Sequence, residues 1–295
     1  METLFGVPLR AVWGQLLIGL VNGAFYATLS LGLSVVFGLL NVINFAHGAF
    51  YMLGAYGAYM VLTYFGVSYW IALLLVPLIV AAVGMGIERT MLRRLYKLDH
   101  LYGLLLTFGL TLVLEGAFSS AYGVSGQSYA TPVALRSAVD VGFMMLPSYR
   151  LWVVIASVAM CLTTWFVIER TKLGALLRAG TENAKLVEAF GVNVPQMVTL
   201  TYGFGVALAA FAGVLAAPVF QVNPVMGSNL IVVVFAVVVI GGLGSTLGAI
   251  VTGLGLGIVE GLTKVFYPEA SSTVVFLIMI VVLLLRPAGL FGKEA

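Results

Sequence analysis

Apolar runs of about 20 residues recur along the whole 295-residue chain and constrain its fold more than any other feature. A run of this length crosses the hydrocarbon core of a bilayer, about 30 Å thick, as one α-helix. The sequence is 62% hydrophobic and only 8% charged, whereas roughly a quarter of the residues in a soluble domain are charged. Membrane β-strands would alternate polar and apolar residues, which these runs do not do. The sequence therefore predicts an all-α, polytopic transmembrane helical bundle that forms one domain, residues 1–295.

The apolar runs predict about nine membrane spans, within a range of 8–10. They lie near residues 12–38, 46–65, 69–92, 101–121, 150–168, 196–217, 229–242, 246–265 and 272–286. Groups of Lys and Arg follow the third, fifth and last runs, whereas the segment 122–149 contains Arg136 as its one basic residue. Basic residues collect in cytoplasmic loops. The pattern therefore predicts an external N-terminus, an external loop at 122–149, a cytoplasmic loop at 169–194 and a cytoplasmic C-terminus.

The stretch from Leu39 to Tyr59 combines polar side chains and glycines with apolar residues near or within membrane depth. Its candidate functional residues are Asn41, Asn44, His47, Gly48 and Gly54. Polar groups are costly in hydrocarbon and are tolerated where the backbone is buried in protein or lines a wet cavity. We therefore predict a broken element that lines or shapes the translocation path of a transporter, with glycines that allow close backbone approach. Whether 39–59 and 218–242 are re-entrant stays open.

A second interruption, at residues 218–228, contains Pro218, Asn223 and Pro224 between the sixth and seventh apolar runs. Paired interruptions in the two halves of a transporter point to a site near the membrane midplane, although an ordinary external loop fits this segment equally well. Glycines also recur at every fourth position in the later runs, for example from 253 to 261. They predict close helix packing, either inside the subunit or at a subunit interface.

The longest cytoplasmic loop, residues 169–194, contains the pattern of one short helix. Thr181 is the expected N-cap, Glu182 favours the positive helix N-terminus, and Gly191 fits the position just past the end. The apolar stripe between them consists of Ala184, Leu186, Val187 and Phe190. Such a helix can insert into a groove on a soluble partner. The alternative is a helix that lies on the membrane surface and closes the loop.

The sequence contains no evident motif for catalysis, metal binding or ATP hydrolysis. It has no GxxxxGK[ST] phosphate loop, its histidines, His47 and His100, form no ligand cluster, and no nucleophile has a neighbouring base. The carboxylates recognised in the spans are Glu115, without an evident partner, and Glu260, which can pair with Lys264. Proton-coupled carriers usually need Asp, Glu or His relays inside the membrane, so the absence of an evident acidic residue at the membrane midplane argues against that class. The net charge of +3 reflects membrane orientation rather than nucleic-acid binding.

Four segments together resemble the permease subunits of branched-chain amino acid ABC importers of the LivH type. They are NVINFAHGAFYMLGAY (41–56), RAGTENAKLVEAFGVNV (178–194), GGLGSTLGA (241–249) and RPAGLFG (286–292). The resemblance implies an ABC importer permease fold in the bacterial inner membrane, with lipid contact, no enzymatic activity and no cofactor of its own. It also implies a LivM-type second permease, two cytoplasmic ATPase subunits that bind ATP and Mg, and a periplasmic substrate-binding protein. The helix at 181–191 would then be the coupling helix that docks on the ATPase.

Two positions depart from the pattern of these relatives. Family members often carry an acidic residue where Ala49 stands and a basic residue near Val233, and both are apolar here. We infer that the two charges pair in the relatives and were lost together, since losing one of a buried pair is strongly destabilising. The substrate stays open, because related importers also move urea, short amides and aromatic acids. Two other classes of protein also fit the sequence: a secondary transporter or channel that works without ATPases, and a membrane scaffold without a path. The sequence leaves open whether the permease core is homodimeric or heterodimeric.

Overall fold

The chain folds into a bundle of α-helices, and the computed structural model describes residues 3–4, 6–40, 44–96 and 98–292. The helices are α1 Leu9–Leu40, α2 Ala46–Phe65, α3 Tyr69–Thr90, α4 His100–Tyr122, α5 Ser148–Arg170, α6 Lys172–Glu182, α7 Ala184–Ala189, α8 Val194–Ala216, α9 Met226–Gly241, α10 Thr246–Phe266 and α11 Val274–Leu285. Antiparallel hairpins pair β1 Thr3–Leu4 with β2 Val7–Pro8 and β3 Ala138–Asp140 with β4 Met145–Pro147. Each of the nine predicted runs contains a helix. The loop at 169–194, however, holds α6 and α7 rather than one helix.

Six of the described helices are long and apolar enough to cross a membrane, namely α1, α3, α4, α5, α8 and α10. Two further apolar helices are shorter, since α9 has 16 residues and α11 has 12. At 1.5 Å per residue they extend about 24 Å and about 18 Å, less than the hydrocarbon thickness. The 20-residue α2 lies between these classes in length. The molecule is thus a mainly helical, multi-pass membrane bundle, while nine complete spans remain a prediction.

Glycines bring α1 and α10 into direct backbone contact, and this is the most extensive helix pair in the described structure. A Cβ atom added to Gly257 would lie 2.3 Å from the Cα atom of Gly23. A Cβ atom added to Gly19 would lie 2.5 Å from the carbonyl oxygen of Gly257. Small residues permit such close approach in lipid, where packing drives helix association. These glycines therefore pack inside the subunit, as the first of the two interpretations predicted.

The core lies around α8, which packs against α1, α2 and α3. In its most apolar 18-residue stretch 78% of the residues are buried, against 17% in α4. The aromatic residues Phe50, Tyr51 and Tyr202 are fully enclosed there. The outer faces of α3, α4 and α5 instead expose leucines and other large apolar side chains. A mostly buried central helix thus contrasts with peripheral helices whose apolar faces suit lipid or a partner subunit.

Contacts between loops show which segments share an end of the bundle. Gln127 and Val222 exchange backbone hydrogen bonds of 2.8 and 3.0 Å, which joins the 122–149 segment to the interruption at 218–228. Trp13, at the start of α1, lies near Phe143, with ring centroids 6.4 Å apart. At the opposite end, the hydroxyl of Thr246 donates to Glu169 over 3.2 Å. The relative grouping agrees with the predicted topology, and the absolute orientation rests on the charge pattern.

Candidate functional site

The helix break in the 39–59 stretch lies between α1, which ends at Leu40, and α2, which begins at Ala46. Asn41 is outside the described residues. The backbone N–H of Phe45, just before α2, donates to the hydroxyl oxygen of Thr107 in α4 over 3.2 Å. Thr107 is fully buried and lies seven residues after the start of α4. The start of α2 is therefore enclosed by other helices, as expected for irregular backbone at membrane depth.

Asn44 is buried beside α8 and binds Tyr202. Its Nδ2 atom donates to the Tyr202 hydroxyl over 3.1 Å, and both residues are at most 2% exposed. The Asn44 Oδ1 atom is buried without a partner within the described part of the chain. An unsatisfied buried acceptor costs about 1–3 kcal/mol. The contact with Tyr202 holds the beginning of α2 against α8, and the Oδ1 acceptor of Asn44 is left unused.

His47 is the second residue of α2 and is fully buried against α1. Its Nε2 atom is 3.0 Å from the carbonyl oxygen of Leu29. Because a carbonyl accepts only, we assign the proton to Nε2, which leaves Nδ1 as an acceptor. Nδ1 has no partner in the described structure. His47 is thus a hydrogen-bonding residue that fixes α2 on α1, at the level where Gly32 leaves room for its ring.

The two predicted glycines of α2 lie at helix crossings. A Cβ atom on Gly48 would lie 2.7 Å from the carbonyl oxygen of Gly227 in α9, and one on Gly54 only 2.2 Å from that of Ala210 in α8. Ala49 is buried next to the first of these crossings. Val233, partly buried in α9, packs instead against the cluster formed with α11. The first half of α2 is therefore wedged between α8 and α9.

The most deeply buried carboxylate among the described residues is one that the sequence pattern does not indicate. Glu88, near the end of α3, is 0% exposed. Its Oε1 atom accepts a hydrogen bond from the Tyr96 hydroxyl at 3.0 Å, and its Oε2 atom accepts one from the Thr199 hydroxyl at 2.6 Å. Glu88 lies two residues before the end of α3, so the absence of an acidic residue near the membrane midplane stays a prediction. We call Asn44, Glu88, Tyr96, Thr199 and Tyr202 the buried polar cluster.

Tyr96 covers Glu88 from the connection between α3 and α4. Burial, followed by the adjacent Glu88 carboxylate, raises the pKa of the Tyr96 hydroxyl well above its usual value. Both effects disfavour a phenolate. Tyr96 consequently keeps its proton and stays a hydrogen-bond donor to Glu88.

The two carboxylates recognised from sequence both have partners. Glu260 forms an ion pair of 2.5 Å with Lys264, as predicted, and also accepts a hydrogen bond of 2.7 Å from the Tyr26 hydroxyl. Glu115 in α4 accepts a hydrogen bond from the hydroxyl of Ser228 in α9. Among the described residues, no group of three or more His, Cys, Asp and Glu side chains is arranged to hold a metal ion. These acidic groups therefore act as contacts between or within helices.

The 169–194 loop corrects the predicted cap of the coupling helix. α6 continues through Thr181 and ends at Glu182, and the Thr181 hydroxyl donates to the carbonyl oxygen of Arg178 over 2.7 Å. Asn183 is the N-cap of α7, since its Oδ1 atom accepts from the N–H of Leu186 at 3.0 Å. Thr181 and Glu182 thus do not begin the helix. The amide side chain of Asn183 satisfies one of the donors that a helix start leaves unpaired.

The end of α7 matches the prediction, and its apolar stripe divides into two parts. Gly191 has φ +84°, the left-handed conformation that glycine adopts just past a helix end. Val187 is only 6% exposed, whereas Phe190 is 80% and Leu186 is 55% exposed. Ala184 is exposed as well. One side chain therefore anchors α7 on the bundle, while the others face outward.

A cavity of about 520 Å³ lies between α5, α6 and the start of α8. Its lining is mainly apolar and includes Leu173 and Leu176 of α6 and Leu200 of α8. A second pocket of about 70 Å³ also adjoins α6, and its lining includes Ser34, Arg178 and Thr201. We call α6 and α7 together the α6–α7 hairpin. Its first helix, α6, lines both of these cavities.

Comparison with known proteins points to transport. A family model described as the permease component of the branched-chain amino acid transport system matches residues 15–283. The chain is 31% identical over 298 residues to the high-affinity branched-chain amino acid transport system permease protein LivH of Escherichia coli K12, covering 95% of each chain. It is 32% identical over 302 residues to the corresponding protein BraD of Pseudomonas aeruginosa, again over 95% of each. The residues matched by the family model extend from α1 into α11.

A second kind of relative also matches. The chain is 28% identical over 289 residues to the high-affinity branched-chain amino acid transport system permease protein LivM of Escherichia coli K12, covering 90% of this chain and 67% of that protein. No solved structure matches the chain significantly.

Proposed function

The chain belongs to the family of branched-chain amino acid transport permeases, and from this premise we propose that it is the LivH-type subunit of an ATP-driven importer of branched-chain or related small amino acids. Its role is transport rather than catalysis, within a multi-pass helical membrane bundle. The observation that carries the proposal is the family match over residues 15–283, which reaches from α1 into α11. The chain is a multi-pass protein of the bacterial inner membrane.

The proposed complex contains a second permease, two cytoplasmic ATPase subunits and a periplasmic substrate-binding protein. A LivM-type second permease is supported by the 28% identity between this chain and LivM, because paired permeases of common ancestry form related halves of one bundle. The ATPase subunits bind ATP and Mg, and this chain carries no phosphate loop of its own. The external binding protein sets much of the specificity.

The passage opens by alternating access, and α2 is the element that shapes it. Asn44 and His47 bind α8 and α1 through their side chains, while Gly48 and Gly54 place α2 directly on α9 and α8. Since these side chains are buried, they act by fixing the position of α2. Asn41, directly after α1, contributes a polar group at the same break. The passage carries few charges, so that a small zwitterion is not held too tightly to be released.

The α6–α7 hairpin is the coupling element. Phe190, Leu186 and Ala184 present an exposed apolar surface at the end of the bundle that carries the basic loops. Large exposed apolar groups on a short helix suit insertion into a groove of a soluble protein. Val187 fastens α7 to the bundle, so that a movement of the docked ATPase reaches the membrane helices.

Reconstitution of the complete complex tests this function. With the second permease, both ATPases and the binding protein, proteoliposomes should accumulate labelled leucine only when ATP is supplied on the ATPase side. Competition by valine and isoleucine, and its absence with urea, short amides or phenylalanine, would support the substrate assignment. Leucine uptake by vesicles that hold the permeases without any ATPase would instead indicate a secondary transporter or channel and refute the proposal.

Variants of the broken stretch separate a passage from a scaffold. In the same vesicles, Asn44→Leu and His47→Leu should each lower leucine uptake severalfold, because each frees the start of α2 from a neighbouring helix. Uptake equal to that of the unchanged protein for both variants would show that this region is not part of a passage.

A further inference from the structure

Glu88 is an unusual residue for its position, because a carboxylate is buried where an apolar side chain would suffice. It is fully enclosed, and the structure gives it two hydroxyl donors, Tyr96 and Thr199. Burying a carboxylate is costly unless hydrogen bonds compensate for the water that is lost. The two bonds go to different parts of the chain. Tyr96 belongs to the connection that follows α3, whereas Thr199 belongs to α8, 111 residues away along the chain.

The α8 side of this contact is directly joined to the hairpin. α8 begins at Val194, and Asn193 caps it by accepting from the N–H of Gln196 at 3.0 Å. The hairpin is fastened to the same first turns, since a Cβ atom on Gly180 of α6 would lie 2.5 Å from the methyl group of Met197. α7 also contacts α8. The hairpin therefore contacts the first turns of α8 directly.

The same stretch of α8 also reaches α2. Thr199 and Tyr202 are three residues apart, which places them on one face of the helix. Thr199 binds Glu88 of α3, and Tyr202 accepts the hydrogen bond from Asn44 at the start of α2. One helical turn thus connects the hairpin to a buried carboxylate and to the broken stretch.

We propose that Glu88 is a positioning residue that ties the first turns of α8 to α3, so that movement of the α6–α7 hairpin is transmitted to the start of α2. The inference rests on the proposed function, because it concerns how that importer couples ATP hydrolysis to transport. Glu88 does not touch the substrate. Its bond to Thr199 holds Tyr202, and through it Asn44, in register with the hairpin. Without that bond, the hairpin would still bind the ATPases, but α8 would slip relative to α3.

The experiment measures leucine uptake and ATP hydrolysis together in proteoliposomes that contain the complete complex. Thr199→Val is the main variant, because valine has nearly the same shape and removes the hydroxyl donor. Thr199→Ser keeps the hydroxyl and is the matched control. We expect Thr199→Val to lower the ratio of leucine transported to ATP hydrolysed at least fivefold, and Thr199→Ser to stay within twofold of the unchanged complex.

Variants of Glu88 itself add a second measurement. Glu88→Gln keeps an acceptor for one hydroxyl and offers its amide to the oxygen of the other, so it should retain most of the ratio. Glu88→Ala loses both contacts and should behave like Thr199→Val. Tyr96→Phe removes only the bond between Glu88 and the α3–α4 connection and should change the ratio less than twofold.

The outcomes distinguish this inference from the proposed function. An unchanged ratio in Thr199→Val, with ATP-dependent uptake by the unchanged complex, overturns the inference and leaves the function intact. A parallel fall of uptake and hydrolysis in Thr199→Val shows a role in folding or assembly only, which also overturns it. Absence of ATP-dependent uptake by the unchanged complex refutes the proposed function itself.

Discussion

The buried polar cluster and the α6–α7 hairpin both depart from the usual distribution of side chains, in which polar groups are exposed and apolar groups are buried. In the cluster, Asn44, Glu88 and Tyr202 are polar and enclosed by helices. In the hairpin, Leu186 and Phe190 are apolar and exposed. The cluster finds its hydrogen-bond partners within the chain, whereas the exposed surface of the hairpin has no counterpart among the described residues. The contacts of the cluster are therefore internal to the subunit, whereas the exposed face of the hairpin is the surface that we propose docks on a partner.

This difference predicts how each region responds to change. A substitution near the cluster should affect the isolated chain, because its contacts are made within the bundle. A substitution on the outer face of the hairpin should leave the isolated chain intact and affect the assembled complex. Four predictions test the contrast.

The largest effect on the isolated chain is expected where α2 crosses α8 at Gly54 and Ala210, about two turns further along α8 than the cluster. Gly54→Ala places a methyl group 2.2 Å from the carbonyl oxygen of Ala210, and the two helices must move apart. Overpacking of this kind costs about 2–3 kcal/mol. We expect a clear fall in the thermal unfolding midpoint of the purified chain in detergent.

Gly86→Ala is the matched control for this prediction. Gly86 lies in α3 and has open space around its Cβ position. Alanine is a better helix former than glycine by about 1 kcal/mol, so this variant should be as stable as the unchanged chain or slightly more stable. Equal stability of the two variants would contradict the close packing of α2 on α8.

The next effect concerns the outer face of the hairpin. Phe190→Asp replaces an 80% exposed ring with a charge and should weaken binding of the ATPase about 30-fold, or ~2 kcal/mol, the scale of an interface hot spot. Ala184→Asp should act in the same direction. Co-purification of permease and ATPase measures the loss, while the melting midpoint of the isolated permease should not change.

Val187→Asp sharpens this result, because Val187 lies on the same short helix but is buried. A charge there should destabilise the hairpin in the isolated chain as well as reduce binding. Unchanged co-purification with Phe190→Asp would remove the hairpin from the docking surface. Destabilisation of the isolated chain by Phe190→Asp would show that its exposed face is not free.

A smaller effect is expected for the hydrogen bond between Asn44 and Tyr202. Asn44→Ala and Tyr202→Phe each remove one partner of a buried contact of 3.1 Å. A double-mutant cycle in detergent unfolding should give a coupling energy of about 1.5 kcal/mol, since the buried partner left behind loses its compensation. Additive effects of the two substitutions would mean that the bond does not hold α2 on α8.

Much of this architecture was predictable from local sequence. Each apolar run became a helix because run length and hydropathy are local properties. The break before Ala46 was visible in the polar residues and glycines around it. The pair Glu260–Lys264 followed from one-turn spacing. Features that depend on residues within a few positions of one another were therefore recovered.

Glu88 shows why other parts of the structure could not be predicted from the sequence. It stands two residues before the end of α3, beside Arg89, where a carboxylate would ordinarily reach the membrane surface. Its burial depends on Tyr96 folding back and on Thr199, far along the chain, packing against it. The periodicity of apolar residues along the sequence does not predict such a long-range contact. The same holds for Ser228, whose bond to Glu115 joins α9 to α4.

The smallest effect is expected at the start of α7, where it distinguishes between two candidate N-cap residues. Thr181 and Asn183 are both good capping residues, and the sequence pattern favoured Thr181 because it did not reveal that α6 continues through it. The structure assigns the cap to Asn183, whose Oδ1 atom accepts from Leu186 N. Asn183→Ala should therefore cost about 1 kcal/mol of local helix stability, seen as roughly fivefold faster hydrogen exchange at the Leu186 amide. Thr181→Ala should leave that amide unchanged, since the Thr181 hydroxyl bonds back to Arg178 within α6. A reversed pattern would restore Thr181 as the start of the helix and place Glu182 in its first turn, where its charge would lie beside the surface that we propose docks on the ATPase.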